Sequence, residues 1–421
     1  MKKRTTALAV AAGAAAVALA LSGCSTSSSS SSASGPVTLK VWTGFTGGDR
    51  PGYAQIVKDF EASHPNIKVQ MTVQPWDTIQ QKLPSAWLTG QGPDIAAVSS
   101  DPNAVAQYVK TNSVLALTNT GSGKDQINTS ELAPGTVKEF TYDGKLYGIP
   151  ANFATLSLYY NKKLFQQAGI ANPPTTIGEL AQDAKKLTSG GNYGISLADN
   201  QTIQMWPVLQ WLEGGDIVNG KGCSVVQTSA GQKSLSTWAD LVAKEKVSPV
   251  GQTGAEADSL FSAGKAAMEI NGPWAAPGYR SAGIDLGIAT IPTGVDGKSV
   301  TLGSTAPLSV SAKTKYPKQA QEFLAYWTSK ATQEKFSLKT GFPPLRTDMT
   351  DDAKLKADPT VSVFASQVGN ARLYLPHVTD ATKVDSDGYV PLIGQVTRGT
   401  SVATATKSAA QTIDGLTGCS Q

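Results

Sequence analysis

Cysteine and histidine are nearly absent from these 421 residues, which hold three of the first (Cys24, Cys223, Cys419) and two of the second (His64, His377). With the histidines far apart and no Cys/His spacing of the zinc type, no metal site and no cofactor is expected. Net charge is small too, since 36 Lys and Arg stand against 32 Asp and Glu, a formal balance of +4. Three of the cations, Lys2, Lys3 and Arg4, precede Cys24, so the chain without residues 1–23 carries 4 − 3, or +1. A nearly neutral chain lacks the cationic field that nucleic acid requires, which excludes it as a partner. No phosphate-cradling G-x-x-x-x-G-K-[ST] occurs, and no repeat of about 20 to 50 residues is visible.

One long apolar run is present, Ala7 to Leu21, behind the cationic head. It is too short and too rich in alanine for a comfortable transmembrane helix and reads as a secretion signal, residues 1–23. The small residues Ser22 and Gly23 set a cleavage point before Cys24. Leu21-Ser22-Gly23-Cys24 resembles the lipobox of bacterial lipoproteins, which implies acylation of the Cys24 thiol and attachment to the membrane. One acyl chain holds a protein only marginally, so the pattern implies more than one. The serine-rich stretch that follows, within 24–36, has no apolar side chains to pack and serves as a flexible tether. With Cys24 given to lipid, Cys223 and Cys419 remain as an even pair in an exported, oxidising setting, where a disulfide is expected.

The residues after the tether outnumber what one hydrophobic core usually supports, so two lobes are expected. Val37–Trp42 and Ile67–Val73 alternate apolar and polar residues, as half-buried strands do. Between them Tyr53–Ser63 carries Ile56, Val57 and Phe60 at helical spacing. Strand, helix, strand is a crossover that builds parallel sheet, hence an α/β lobe. Further helices are predicted over Ile79–Leu88, Ile177–Leu187, Ala230–Lys244 and Lys318–Leu338.

Several segments, in order, resemble the extracellular solute-binding proteins of ABC importers, in particular the maltose/oligosaccharide-binding cluster. They include Val41-Trp42 with the turn Gly47-Gly48-Asp49, then DFEASHPNIKV and Thr89 to Ile95 (TGQGPDI). Asp143 to Ile170 and Pro173-Pro174-Thr175 follow, then FSAGKAAMEINGPW (Phe261 to Trp274), AQEFLAYWTSKATQEKF and Gly341 to Arg346 (GFPPLR). The resemblance implies an α/β, two-lobed periplasmic-binding-protein fold, each lobe a sheet flanked by helices, joined by a multi-strand hinge. It places the first lobe in 37–152 and 308–341 and the second in 157–302 and 344–421, with crossings near 152–156, 302–308 and 341–344. The expected protein is a monomer that closes on a carbohydrate and hands it to importer permease subunits.

A saccharide presents hydroxyls and apolar C–H faces, so its site needs flat aromatic rings beside carboxylates, amides and guanidinium groups. Trp274 matches the family's INGPW motif, whose aromatic stacks on a sugar ring. Asp49 and Asp101 correspond to polar positions that bond sugar hydroxyls, or else are caps or turn residues. Phe45, Trp76 and Phe153 lie on loops at strand ends, where they either line the cleft or pack locally. Of Trp206 and Trp211, one is expected to line the cleft and the other to pack. The candidate set with Trp206 also takes in Trp42 and Arg346 from the matching segments, and Gln201. Where close relatives place an acid in the hinge segment this chain has Ala154, and it has amides at Asn200 and Gln201, so the sugar's identity does not carry over.

Two rival readings remain. The same fold could hold a phosphorylated polyol or a peptide. A secreted serine acyl-enzyme would use Ser262 to Lys265 as S-x-x-K and Lys339-Thr340-Gly341 as K-T-G, but the companion S-D-N is missing between them. The expectation is no enzyme and no catalytic residue.

Overall fold

The strands Val37–Thr43 and Ile67–Val73 run parallel in the register Val37↔Ile67 to Thr43↔Val73, joined by the helix Arg50–Ser63. This crossover matches the alternation of the sequence, because Leu39 and Val41 turn inward while Thr38 and Lys40 face water. The computed structural model describes residues 35–99, 104–123, 125–132, 134–201, 203–375, 378 and 380–419. The signal segment, Cys24, nearly all of the tether and Asp101 lie outside the described residues.

Ile95–Ala97 pairs parallel on the far side of Val37–Thr43, and Pro307–Val310 then pairs antiparallel with both Ile95–Ala97 and Ile149–Pro150. The five-stranded sheet is therefore mixed, with a parallel half whose strands all end at one edge. A second sheet, Leu286–Ala289, Ser157–Asn161 and Met268–Asn271, is antiparallel throughout, with parallel bridges from Tyr193 and Ser196 on its Met268–Asn271 side.

Buried apolar residues gather into two large cores. One runs from Val37 to Ala154 and resumes from Ala306 to Leu345, while the other holds Leu156 to Leu302 and Leu375 to Ile413. The chain switches cores from Ala154 to Leu156, and back between Leu302 and Ala306. Phe342 and Leu345 belong to the first core. Met349, Leu355 and Val361 form a small separate cluster beyond them, and Phe364 packs with Tyr159 of the second lobe. The GFPPLR segment anchors two side chains in the first core.

The two earlier passages lie side by side and antiparallel, with Pro307↔Pro150 in the first sheet and Gly303↔Thr155 beyond it. Ala151 N–H donates to Ala306 O at 2.8 Å, and Thr305 Oγ1 donates to Asn152 O at 2.6 Å. The predicted helix Lys318–Leu338 is two helices, Pro317–Trp327 and Lys330–Thr340. Neither glycine nor proline marks the break. Ser329 makes it by leaving the helical conformation and capping the second helix through Thr332 N–H.

Cys223 and Cys419 are joined in a disulfide with a Cα–Cα distance of 5.5 Å.

Candidate functional site

The three parallel strands of the first sheet end at Thr43, Val73 and Ala97, and the loops that leave them carry most of the predicted site. Gly44 has no Cβ because the Trp76 indole occupies that place; a Cβ there would lie 2.0 Å from the ring. Trp76 is half-buried and meets Phe45 edge-on at 5.7 Å, and Phe45 stacks on Tyr53 at 3.9 Å. Phe45 is thus buried packing, the floor beneath Trp76. Trp42, near the end of its strand opposite Thr72, and Phe153, beside Gly303, are both half-buried.

Asp49 stands at the N-cap position of Arg50–Ser63 yet makes no side-chain cap bond, and it is 3 % exposed. Its carboxyl lies within hydrogen-bonding reach of the Tyr53 hydroxyl, while Oδ1 has no partner. Burial, the largest influence, pushes its pKa up to about 7 from 3.8, against smaller lowering by a backbone N–H and by Tyr53. Thr43 Oγ1 and Gln74 Nε2, at the ends of the first two strands, are likewise buried without partners. Buried polar atoms are ordinarily hydrogen-bonded, and three without partners lie near this one sheet edge.

Trp274 lies beside the loop after the first strand, where a Cβ on Gly47 would come within 3.4 Å of its own Cβ. It packs against both large cores and the Tyr159 cluster, and its ring lies 6.4 Å from Phe342. Its indole lies over bare Gly272, where a Cβ would come within 2.2 Å. The turn is fixed from behind: Tyr159 OH donates to Gly272 O at 2.7 Å, and Gly272 N–H donates to Asn271 Oδ1 at 2.8 Å. Asn271 Nδ2 donates in turn to Asp258 Oδ1, and the Tyr279 hydroxyl donates to Glu269 Oε2 at 2.5 Å. Burial first, and the Asp258 charge second, hold the Glu269 carboxyl well above its usual range. The lobes meet here as well, since a Cβ on Gly48 would come within 2.6 Å of Gly278 N.

Four predicted residues fall outside this group. Trp206 is 1 % exposed and donates its Nε1 proton to Ala198 O, so it is a core side chain of the second lobe. Trp211 is also buried, its indole donating to Asp216 under the Arg372 guanidinium. Arg346 cannot serve a ligand from where it stands. Its Nε and Nη2 grip Asp348 at 2.8 and 3.0 Å while Nη1 donates to Thr328 O, which ties down the segment that ends the first lobe. Gln201 is exposed on a turn with φ 57°, and no described contact joins it to the others. Sequence reading missed Tyr53, Asn152, Thr43 and Gln74. Asn152, the one amide in the mostly apolar IPANFATLSL, was the available signal.

Ser262 ends a helix, and Gly264 at φ 67° breaks the turn that would bring Lys265 beside it, so the S-x-x-K match is not a catalytic pair. Among the described residues, no group of three or more His, Cys, Asp or Glu could hold a metal. Two adjoining shallow cavities of about 440 Å³ each open around Thr129, Val137 and Thr141, away from the strand ends and without a concentration of unpartnered polar groups.

Two lobes, paired crossing strands and a polar, aromatic junction between them define a binding protein that closes on a solute. Residues 55–363 match the bacterial extracellular solute-binding protein family, and the chain belongs to it. That is a family of binding proteins and not of enzymes. A putative binding protein of Brucella abortus is 28 % identical over 305 residues, 70 % of this chain and 72 % of that one. The diacetylchitobiose-binding protein DasA of Streptomyces coelicolor is 27 % identical over 384 residues, covering 88 % and 87 %. In fold, the chain is similar to the GacH receptor of Streptomyces glaucescens, solved unliganded and with acarbose. The TM-score is 0.80 at 24 % identity, over 92 % of this chain and 100 % of that one.

Proposed function

We propose that this chain captures a carbohydrate, an oligosaccharide, between its two lobes and delivers it to the permease of an ABC importer. The observation that carries the reading is the half-buried indole of Trp274 packed against both cores, together with the unpartnered Thr43, Asp49 and Gln74 atoms. A ring face and buried hydrogen-bonding groups are the two things a sugar needs at once. The diacetylchitobiose binding named for one relative supports the same class. Trp42, Trp76 and Phe153 complete the aromatic lining, with the passages at 149–156 and 301–307 as the bending strands. Asp101 would add a further carboxylate for the sugar hydroxyls.

Titration of tryptophan fluorescence with maltotriose, diacetylchitobiose, glycerophosphocholine and a peptide tests the class. Saturable change with an oligosaccharide is expected, and a response to glycerophosphocholine or the peptide alone would replace the sugar. In Trp274→Ala, loss of about 1.5–3 kcal/mol of apolar burial should weaken affinity roughly tenfold to hundredfold with little change in melting. Unchanged affinity would remove Trp274 from the site.

We further propose that lipid on Cys24 holds the protein at the outer face of the membrane. Cys24→Ser should move it from washed membranes to the medium, and its retention there would refute the tether.

A further inference from the structure

Between the sheet edge and the hinge runs a continuous line of buried side chains. Asn152 Nδ2 donates to the Tyr53 hydroxyl at 2.6 Å, and that hydroxyl faces the Asp49 carboxyl. At its other end Asn152 belongs to the hinge itself. Its Oδ1 accepts from Ala306 N–H at 3.4 Å, and its backbone O accepts from Thr305 Oγ1 at 2.6 Å, both on the neighbouring crossing strand. Ala306 N–H donates to Asn152 and Asn152 to Tyr53, with the Asp49 carboxyl beyond the Tyr53 hydroxyl. Tyr53 and Asn152 are 0 % and 8 % exposed. Chains of aligned hydrogen bonds in such surroundings polarise one another, and a change at one end is felt at the other.

We propose that Asp49, Tyr53 and Asn152 form a relay that couples occupancy of the Asp49 carboxylate in the cleft to the two crossing strands of the hinge. Tyr53 and Asn152 are positioning residues in this scheme. The free Asp49 Oδ1 is where a ligand hydroxyl would donate, and that contact competes with Tyr53 for the carboxylate's charge. The competition reaches Asn152 and so the Thr305–Ala306 strand, which gives a chemical reason for lobe closure to follow binding. The inference rests on the sugar-binding reading only for the identity of that hydroxyl. Tyr53 is the titratable side chain that bears on Asp49, and among the described residues no charged group of either lobe adds to it.

The test uses ligand-free protein, so it stands apart from the sugar assay. With ¹³C-labelled aspartate, the Asp49 carboxyl is titrated in wild type, Tyr53→Phe and Asn152→Ala. Tyr53→Phe should raise its midpoint by about one pH unit by removing a donor to the carboxylate. Asn152→Ala, which does not touch Asp49, should raise it by less, and should add nothing when combined with Tyr53→Phe. From the other end, Asp49→Asn should speed hydrogen exchange of the Ala306 amide by about tenfold while the Leu115 amide keeps its rate. An Asp49 midpoint unmoved in Asn152→Ala overturns the relay. So does an unchanged Ala306 rate in Asp49→Asn, the variant that remains if Tyr53→Phe does not fold. Expected titrations in a protein that binds no oligosaccharide would leave the relay standing and end the sugar reading.

Discussion

Cys223→Ser is expected to cost up to ~5 kcal/mol of stability, the chain-entropy value for a loop of this length. The two cysteines are 196 residues apart, so the bond denies the unfolded chain most of the freedom of the second lobe. The native state holds the partners close without it. Ser224 N–H donates to Asp414 Oδ1 at 2.7 Å, and Cys419 N–H donates to Asp414 O at 2.9 Å, which pins the turn at 218–224 to the end of the last helix, Val402–Thr417. The reduced protein should therefore keep its fold and its ligand affinity while its urea midpoint falls. Reduction of the wild type should reproduce the Cys223→Ser midpoint. Equal midpoints for oxidised and reduced protein would show that the bond contributes nothing.

Legibility in the sequence followed the range of the interaction. Val37–Trp42 and Ile67–Val73 announce themselves because strand alternation is local, and the structure pairs them in the register that alternation allows. The break at Thr328–Ser329 was hidden because serine caps a helix only when the chain already turns there. Tryptophans are indistinguishable by composition. Trp206 and Trp274 differ in whether the indole nitrogen finds a backbone carbonyl inside one lobe or the ring stands where two cores meet. Arg346 carries a motif residue whose charge is claimed two positions on by Asp348, a pairing that local spacing could have suggested. Tyr53 and Asn152 are 99 residues apart and meet only because the hinge crosses above the first helix. No local pattern encodes that.

Asp49→Asn is expected to stabilise the ligand-free protein at pH 8 and to weaken it as a binder. Burial holds the Asp49 pKa at about 7, against 3.8 in the absence of burial. A folded-state pKa above the unfolded one means the native state binds the extra proton, so stability falls as pH rises. The favourable contribution is complete below about pH 4 and is lost as pH climbs through about 7. Roughly three pH units at 1.36 kcal/mol each make the cost on the order of 4 kcal/mol above pH 8. An amide is the neutral isostere, so the variant should match wild type near pH 4 and exceed its stability increasingly toward pH 8. The cost is what keeps an anionic acceptor in the junction. With the carboxylate gone, a sugar hydroxyl loses its charged partner, and affinity should fall about tenfold to hundredfold. Denaturation of both proteins from pH 5 to 8, with a sugar titration at pH 8, reads both effects. A stability difference that stays flat across that range would mean the Asp49 carboxyl titrates as a solvated one. The unpartnered Oδ1 would then be no sign of a site.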